Sequence, residues 1–428
     1  MATMPNRSAN ALSRRAFLGA GAGTAALGFL TLTGCGSSSG TPAANGALSV
    51  TSWVFGQDSG TTLKEVVADF SSATSVKTEE NSYPYLQYLN QLVLKAKSGS
   101  LTGVAHIDEE WLSTLALTGA LKEVSGAFDE SLYPDSVKNA GTYKGKRYAM
   151  PWTQSAIGII VNTDILSSAG VSAPPRTVDD FTAALRALKQ ADSSMVPYAP
   201  CTKVEQLKDI IPWMWTFGSP VVDGETVTVG DEGSVRALDY WKQLLDEGLI
   251  QAGVVRDSAR TLFAQGKAAI YEDAPQAIGI IPGQSSDPEM ASKMKPAARP
   301  TQSSGDTPQA LVWSQPLVRF TDEDATTRFM EYMSTDAQAT QKMFEAAGQP
   351  PTTTRDLNAE WFKKDAFHSE FDKQVASTAT RNPFWNFPSA SSAQTRFNEH
   401  VEAALSGSVS AKAAMAAAKT DLEGMLKG

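Results

Sequence analysis

Five stretches of this chain set tryptophan beside carboxylates, amides or hydroxyls at turn-like edges. Trp53 precedes Gly56-Gln57-Asp58, and Trp152 stands before Thr153-Gln154. Trp213 and Trp215 follow Pro212, Trp313 precedes Ser314-Gln315, and Trp385 follows Pro383-Phe384. An aromatic face stacks on the C–H face of a pyranose, while fixed donors and acceptors take its hydroxyls. A neutral polyol needs no charged clamp. The plainer reading of any one of these tryptophans is that it fills a core near the end of an element.

Other motif matches do not carry chemistry. Gly36-Ser37-Ser38-Ser39-Gly40 fits the serine-hydrolase pattern literally, but that pattern needs a strand-to-helix elbow, and this stretch is a serine-rich tether. Gly21 to Ala26 fits a relaxed dinucleotide fingerprint with no strand before it. The three histidines, His106, His368 and His400, are far apart and show no local metal or triad signature. The sequence therefore names no catalytic residue, no metal site and no cofactor.

The N-terminus reads as an address. Arg14-Arg15 follows Ser13, an uncharged apolar or small run covers Phe17 to Thr33, and Leu32-Thr33-Gly34 leads into Cys35. A basic head, a short apolar core and small residues before a cut site describe an export signal. The arginine pair resembles a twin-arginine signal, and Leu32 to Cys35 resembles a bacterial lipobox. We expect residues 1–34 to be the signal, Cys35 to carry lipid, and residues 35–45 to be a flexible tether. The protein would then be exported and anchored to the outer face of the cell membrane. Cys201, the second of two cysteines, is left unpaired.

Composition narrows the partners. Residues 1–34 hold Arg7, Arg14 and Arg15 and no acid, so losing them takes the formal charge from -9 to -9 - 3 = -12. So acidic a body argues against nucleic acid. The length suggests two domains.

Helix and strand signals alternate. Leu63, Val66, Val67 and Phe70 share one helical face, as do Phe181, Ala184, Leu185 and Leu188 behind a capping box at Thr177 and Asp180. Val235, Leu238, Trp241 and Leu245 make a third stripe ending before Gly248, and Phe397, Val401 and Leu405 a fourth. Ala156–Val161 and Ala268–Tyr271 read as buried strands, and Ile281 to Pro308 as a long surface connection. The fold class is α/β with largely parallel sheets.

Taken together, the body resembles the sugar-binding extracellular solute-binding proteins of ABC importers. Asp108 and Trp111, with Gly119-Ala120-Leu121, follow that family's D-x-x-W and G-x-L pattern. Met150-Pro151-Trp152, then Asn162-Thr163-Asp164 and Pro174-Pro175-Arg176-Thr177, follow its central block. Phe263 to Ile270 resembles its F-x-x-G-x-A-A-M strand, and Gly348 to Pro351 its late G-x-x-P turn. Two departures stand out: Thr102-Gly103-Val104 replaces Pro-Asp-Val, and Asp273-Ala274-Pro275-Gln276 holds no tryptophan where many members have one.

The resemblance implies a two-lobed periplasmic-binding-protein-like fold of type II. A ligand cleft lies between lobes joined by hinge crossovers, near Pro151 to Ser155, Gly266, and Val318 to Thr321. Lobe 1 would comprise residues 46–153 with 267–318, and lobe 2 residues 154–266 with 319–428. Carried onto this chain, the cleft would be lined by Gln57, Asp58, Tyr83 or Tyr85, Asp108, Glu110, Trp152, Gln154, Trp213 or Trp215, Asp273 and Trp385. Trp313 joins them from the aromatic clusters. Trp152 and Trp385 would stack on sugar rings. The expected partners are a small sugar, the transmembrane subunits of an ABC permease, and the membrane through Cys35, the protein itself being a monomer. Two alternatives stay open. One is the same fold holding a polyamine, a phosphorylated polyol or a peptide, although few Lys or Arg are expected in the cleft. The other is a lipid-anchored hydrolase using Asp108, Glu110 and Asp273 on glycans.

Overall fold

The computed structural model describes residues 46–138 and 140–427. The expected signal, Cys35 and the tether lie outside the described residues.

The chain begins with a β-α-β-α-β run: β1 (Leu48–Thr51), α1 (Gly60–Thr74), β2 (Thr78–Asn81), α2 (Tyr85–Lys97) and β3 (Val104–His106). The three strands pair in parallel, with β1 in the middle. Helix α1 buries Leu63, Val66, Val67 and Phe70, the stripe read from the sequence. Gly103 leads into β3 with φ +73°, and a Cβ there would meet the Ser49 carbonyl oxygen at 2.0 Å, so this loop requires glycine.

Strand β4 (Ala149–Asn162) is fourteen residues long and passes through both lobes. Around its far half gather α3 (Val178–Ala191), β5 (Tyr198–Ala199), α4 (Glu232–Asp246), α5 (Arg256–Ala264), β6 (Ile270–Asp273) and β7 (Met294–Ala297). Thr177 caps α3 by accepting the Asp180 N–H at 3.1 Å, as its capping box predicts. Strand β8 (Ala310–Arg319) returns antiparallel to β4. Helices α6 (Asp324–Thr335), α7 (Ala337–Ala347), α8 (Ala390–Leu405) and α9 (Ala411–Leu426) complete the fold. The sheet order is β2-β1-β3-β8-β4-β6-β5, with β7 also on β4.

Two cores define the lobes. The first runs from Leu48 to Trp152 and resumes at Leu317, Val318, Phe329, Met333 and Met343. The second holds Ile157 to Ile250, then Ala269, Ile270, Trp313, Phe384 and Phe397 to Leu422. A cluster with Phe263, Tyr271, Met294 and Phe371 adjoins β4, β6 and β7.

This corrects the expected segment assignment. Residues 267–313 belong with lobe 2, because β6 and β7 pair with the far half of β4. Residues 317–343 return to lobe 1, because α6 and α7 cover the same core as α1. Gly266 is therefore no crossover. The crossings are β4 near Thr153, β8 between Trp313 and Leu317, and the Gly348–Thr352 segment. The last lies along β4: Thr153 donates to the Pro350 carbonyl at 2.8 Å, and Thr352 to the Pro151 carbonyl at 3.3 Å. Pro316 sits at a register shift in β8, where a strand tolerates proline. The expected surface connection from Ile281 to Pro308 also differs, since it contains β7, with Met294 and Ala297 buried.

Candidate functional site

A cavity of about 110 Å³ lies where the lobes meet. Lobe 1 contributes Trp53 and Gln57 from the turn after β1, and Tyr85 from the start of α2. Lobe 2 contributes Gln206 and Lys208 from the Val204–Asp209 turn, Arg256 and Arg260 from α5, Asp273 from the end of β6, and Gln276. The crossing segments add Trp313, Gln315 and Gln349. Trp53 and Asp273 follow or close the C-terminal ends of their strands, where open α/β sheets hold ligands.

Behind the lobe 1 wall runs a buried polar chain. Asp108 accepts hydrogen bonds from the Tyr85 hydroxyl and, at 2.8 Å, from Gln315 Nε2. His106 bonds Gln315 Oε1 at 3.1 Å and Ser52 Oγ at 3.1 Å, and its ring stacks on Trp53 at 3.9 Å. Burial pushes the Asp108 carboxyl above the usual range, while the Lys208 ammonium pulls against it. Burial, then the Asp108 and Glu110 carboxylates, raise the Tyr85 phenol, so it stays a donor. Glu109 is raised by burial too, and accepts from the Gly141 N–H at 2.9 Å and Ser314 Oγ at 2.8 Å.

The cavity's cations are committed. Lys208 reaches across the lobes to Glu110 at 3.2 Å. Burial works against its ammonium, but Glu110 and then Asp108 outweigh that, and its pKa rises. Arg256 holds Asp209 at 2.6 Å. Arg260 grips Asp273 with two N–H groups, at 2.8 and 3.2 Å, and reaches Asp257 at 3.2 Å. The expectation of few basic residues in the cleft is thus corrected: three are present, each neutralised by an acid.

The remaining lining is rich in amides. Gln57, Gln206, Gln276, Gln315 and Gln349 all face the cavity, each able to donate and accept. Gln276 Oε1 is buried with no hydrogen-bond partner among the described residues. Trp53, Tyr85 and Trp313 supply the apolar faces.

Of the residues expected in the cleft, the structure brings Gln57, Tyr85, Asp273 and Trp313 to the cavity wall, with Asp108 and Glu110 one bond behind. The others lie elsewhere. Asp58 is exposed beside the turn. Tyr83 packs on the first core at 6.2 Å from Tyr88. Trp152 is buried behind His106, edge-on at 4.5 Å, so its face is not free to stack on a sugar. Gln154 donates to the Ser136 carbonyl at 2.9 Å. Trp213 is fully buried and gives its N–H to Tyr198 at 3.0 Å, and Trp215 packs on the same core and reaches the Pro220 carbonyl. Trp385 lines a separate cavity of about 800 Å³ with Tyr143 and Arg381. Missed by the sequence reading were Lys208, Arg256, Arg260 and four of the glutamines. Two carried a signal: Gln276, beside the missing tryptophan, and Gln315, in the stretch after Trp313.

The chain is similar to known binding proteins in sequence and in fold. The sequence profile of the bacterial extracellular solute-binding proteins matches residues 65–368. The chain is 28% identical over 225 residues to an ABC transporter-binding protein of Deinococcus radiodurans, covering 50% of this chain and 52% of that protein. It is 24% identical over 201 residues to a binding protein of Brucella abortus, covering 45% and 49%. The chain thus spans about half the length of the curated relatives it matches. Among solved structures, the GacH receptor of Streptomyces glaucescens, studied unliganded and with acarbose, superposes with a TM-score of 0.80 at 21% identity, over 89% of this chain and 98% of that one. Maltose-bound MalE3 of T. maritima gives 0.80 at 19% identity, over 89% and 100%. The two-lobed α/β fold is that of these proteins.

Proposed function

Because the chain belongs to the bacterial extracellular solute-binding proteins, we propose that it captures a neutral sugar in the interlobe cavity and delivers it to the membrane subunits of an ABC importer. It binds the sugar without turning it over, and Cys35, lipidated after export, tethers it to the outer face of the cell membrane.

One observation supports this reading above the rest: the cavity offers amides and aromatic faces, while its charges are already spent on each other. An ionic ligand must displace one member of a paired set, whereas a hydroxyl takes the donors and lone pairs that the pairs leave over. Gln276 Oε1 is an acceptor waiting for such a hydroxyl. Pairing, rather than scarcity of cations, disfavours a phosphorylated solute. Hinge closure around the bound sugar would then present both lobes together to the permease.

Calorimetry tests the reading. The protein is titrated with mono-, di- and trisaccharides, with putrescine and glycerol phosphate as controls. Micromolar binding of one sugar, recovered chemically unchanged, is the expected result. A response to a charged control alone overturns the neutral-sugar assignment, and conversion of a glycan overturns the non-enzymatic one. For the anchor, replacing Cys35→Ser is expected to release the protein from membranes.

A further inference from the structure

We propose that His106, which does not line the cavity, is its positioning residue: the imidazole orients the Gln315 amide and backs the Trp53 ring, setting one donor and one aromatic wall together. This rests on the cavity being the solute site.

The orientation follows from donors and acceptors alone. Asp108, a carboxylate that Lys208 helps to keep charged, accepts the hydrogen bond of the Tyr85 hydroxyl, which keeps its proton, so Gln315 turns its Nε2 toward the other carboxylate oxygen, at 2.8 Å. Gln315 Oε1 then faces His106 Nε2 at 3.1 Å, and that nitrogen must carry the proton. His106 Nδ1 is left as an acceptor, and the Ser52 hydroxyl donates to it at 3.1 Å. Ser52 Oγ in turn accepts the Val54 N–H at 3.2 Å. Every link dictates the next, from α2 to the turn after β1. One N–H of Gln315 stays uncommitted among the described residues, on a side chain that lines the cavity.

The same ring fixes the wall. His106 lies on Trp53 at 3.9 Å with 25° between planes, and Trp152 closes its edge at 4.5 Å. Tyr85 and Tyr88 hold Trp53 edge-on at 5.3 and 5.0 Å. His106 is 2% exposed, and burial pushes its pKa down to about 3, so the ring is neutral at neutral pH, and its two hydrogen bonds select the tautomer. Asp108 and Tyr85 join His106 in this chain through Gln315, and Tyr85 and Tyr88 also pack on Trp53.

The test has two arms on the full chain. In the first, no solute is added, and ring-labelled histidine is followed by nitrogen NMR. With three histidines in the sequence, the signals separate readily. His106 is expected as a neutral ring protonated at Nε2 from pH 5 to 8, with the Gln315 N–H that faces Asp108 protected from exchange. A ring protonated at Nδ1, or titrating in that range, overturns the proposal.

In the second arm, maltose is the calorimetric probe. His106→Phe keeps a ring on Trp53 but leaves Gln315 Oε1 without a donor, and about a tenfold loss of affinity is expected. His106→Gln restores a donor near the Nε2 position and should recover affinity to within about threefold of wild type. Phe binding as well as wild type, or Gln no better than Phe at equal thermal stability, overturns the proposal. Wild type that shows the expected tautomer and protected N–H but binds neither maltose nor any other sugar of the panel counts against the sugar reading, and the orientation of Gln315 stands.

Discussion

The backbone N–H of Ala390 in lobe 2 donates to the side-chain oxygen of Ser113 in lobe 1, at 2.9 Å. Ala390 opens α8, and its own N-cap, Ser389, makes no cap bond. A helix in one lobe is thus capped by the other. Neighbouring contacts follow the same seam: Ser391 donates to the Glu110 carbonyl at 3.0 Å, Thr114 to Ser391 at 3.1 Å, and Tyr143 to the Pro388 carbonyl at 2.9 Å. Separating the lobes uncaps α8, so the helix end itself favours closure.

Removing this cap with Ser113→Ala is expected to shift the solute-free protein toward an open form. An N-cap contributes about 1 kcal/mol, near fivefold in an equilibrium. X-ray scattering should show a larger radius of gyration without solute, and calorimetry an affinity lower by about that factor. An unchanged radius and affinity would show that water replaces the cap at no loss.

The second tie is ionic. Lys208 and Glu110 are only 15% and 17% exposed, so either one left alone retains a poorly solvated charge. Lys208→Met and Glu110→Gln should each weaken solute binding by at least about tenfold. The exchange Lys208→Glu with Glu110→Lys should recover part of the loss. If the double variant is no better than the worse single one, the pair does not act as a unit.

The sequence legibly carried the elements and lost their assignment to lobes. The α1 stripe from Leu63 to Phe70 is local, and it buries as read. Helices α6 and α7 are not among the stripes read from the sequence, and no stripe says which of two lobes it covers; the return of Phe329 and Met343 to the first core is set by how β8 crosses. Trp213 looked like a turn tryptophan because Pro212 precedes it. In the structure Pro212 lies in the first turn of the Ile210–Thr216 helix, where proline is tolerated, and Trp213 points into the core. Lys208 had no legible signal. It sits in a turn with irregular dihedrals at Gln206 and Leu207, and its partner Glu110 is 98 residues away.

Two tryptophans separate the competing sites. Trp313 lines the interlobe cavity, and Trp385 the cavity beside Tyr143 and Arg381. Trp313→Ala is expected to weaken sugar binding at least about tenfold, by removing a stacking face. Trp385→Ala should leave it within about twofold. The reverse ranking would move the sugar to the second cavity.

Acid should destabilise the fold through His106. Its folded pKa of about 3 lies below the ordinary value of 6.5, so the unfolded chain binds more protons between these limits. Stability is therefore full above pH 6.5 and falls as pH drops toward 3, by up to about 1.4 kcal/mol per unit. Asp108 and Glu109 act oppositely, since their raised carboxyls take up protons on folding. Urea unfolding from pH 6.5 to 4.5 should show a flatter profile in His106→Phe than in wild type. Equal slopes would mean that the ring is charged in the native state.

The strongest single dependence of stability on charge is expected at Arg299 and Glu272, whose side chains are 1% and 0% exposed. Arg299 Nη1 donates to Glu272 Oε1 at 2.7 Å, with Nη2 on the other oxygen, and Arg299 Nε donates to the Gln309 carbonyl at 3.0 Å. Glu272 also accepts from the Tyr198 hydroxyl and from Trp213 Nε1 at 3.3 Å, which is why that indole has no part in the cavity. Arg299→Met strands a buried carboxylate, a loss of about 3–5 kcal/mol. Adding Glu272→Gln removes the stranded charge while keeping an acceptor for Tyr198 and Trp213, so the double variant should be more stable than the single one. Urea midpoints at pH 7 decide it. A double variant no more stable than Arg299→Met would show that the packing of Arg299 against Trp213, 5.3 Å from its ring centre, matters more than its charge.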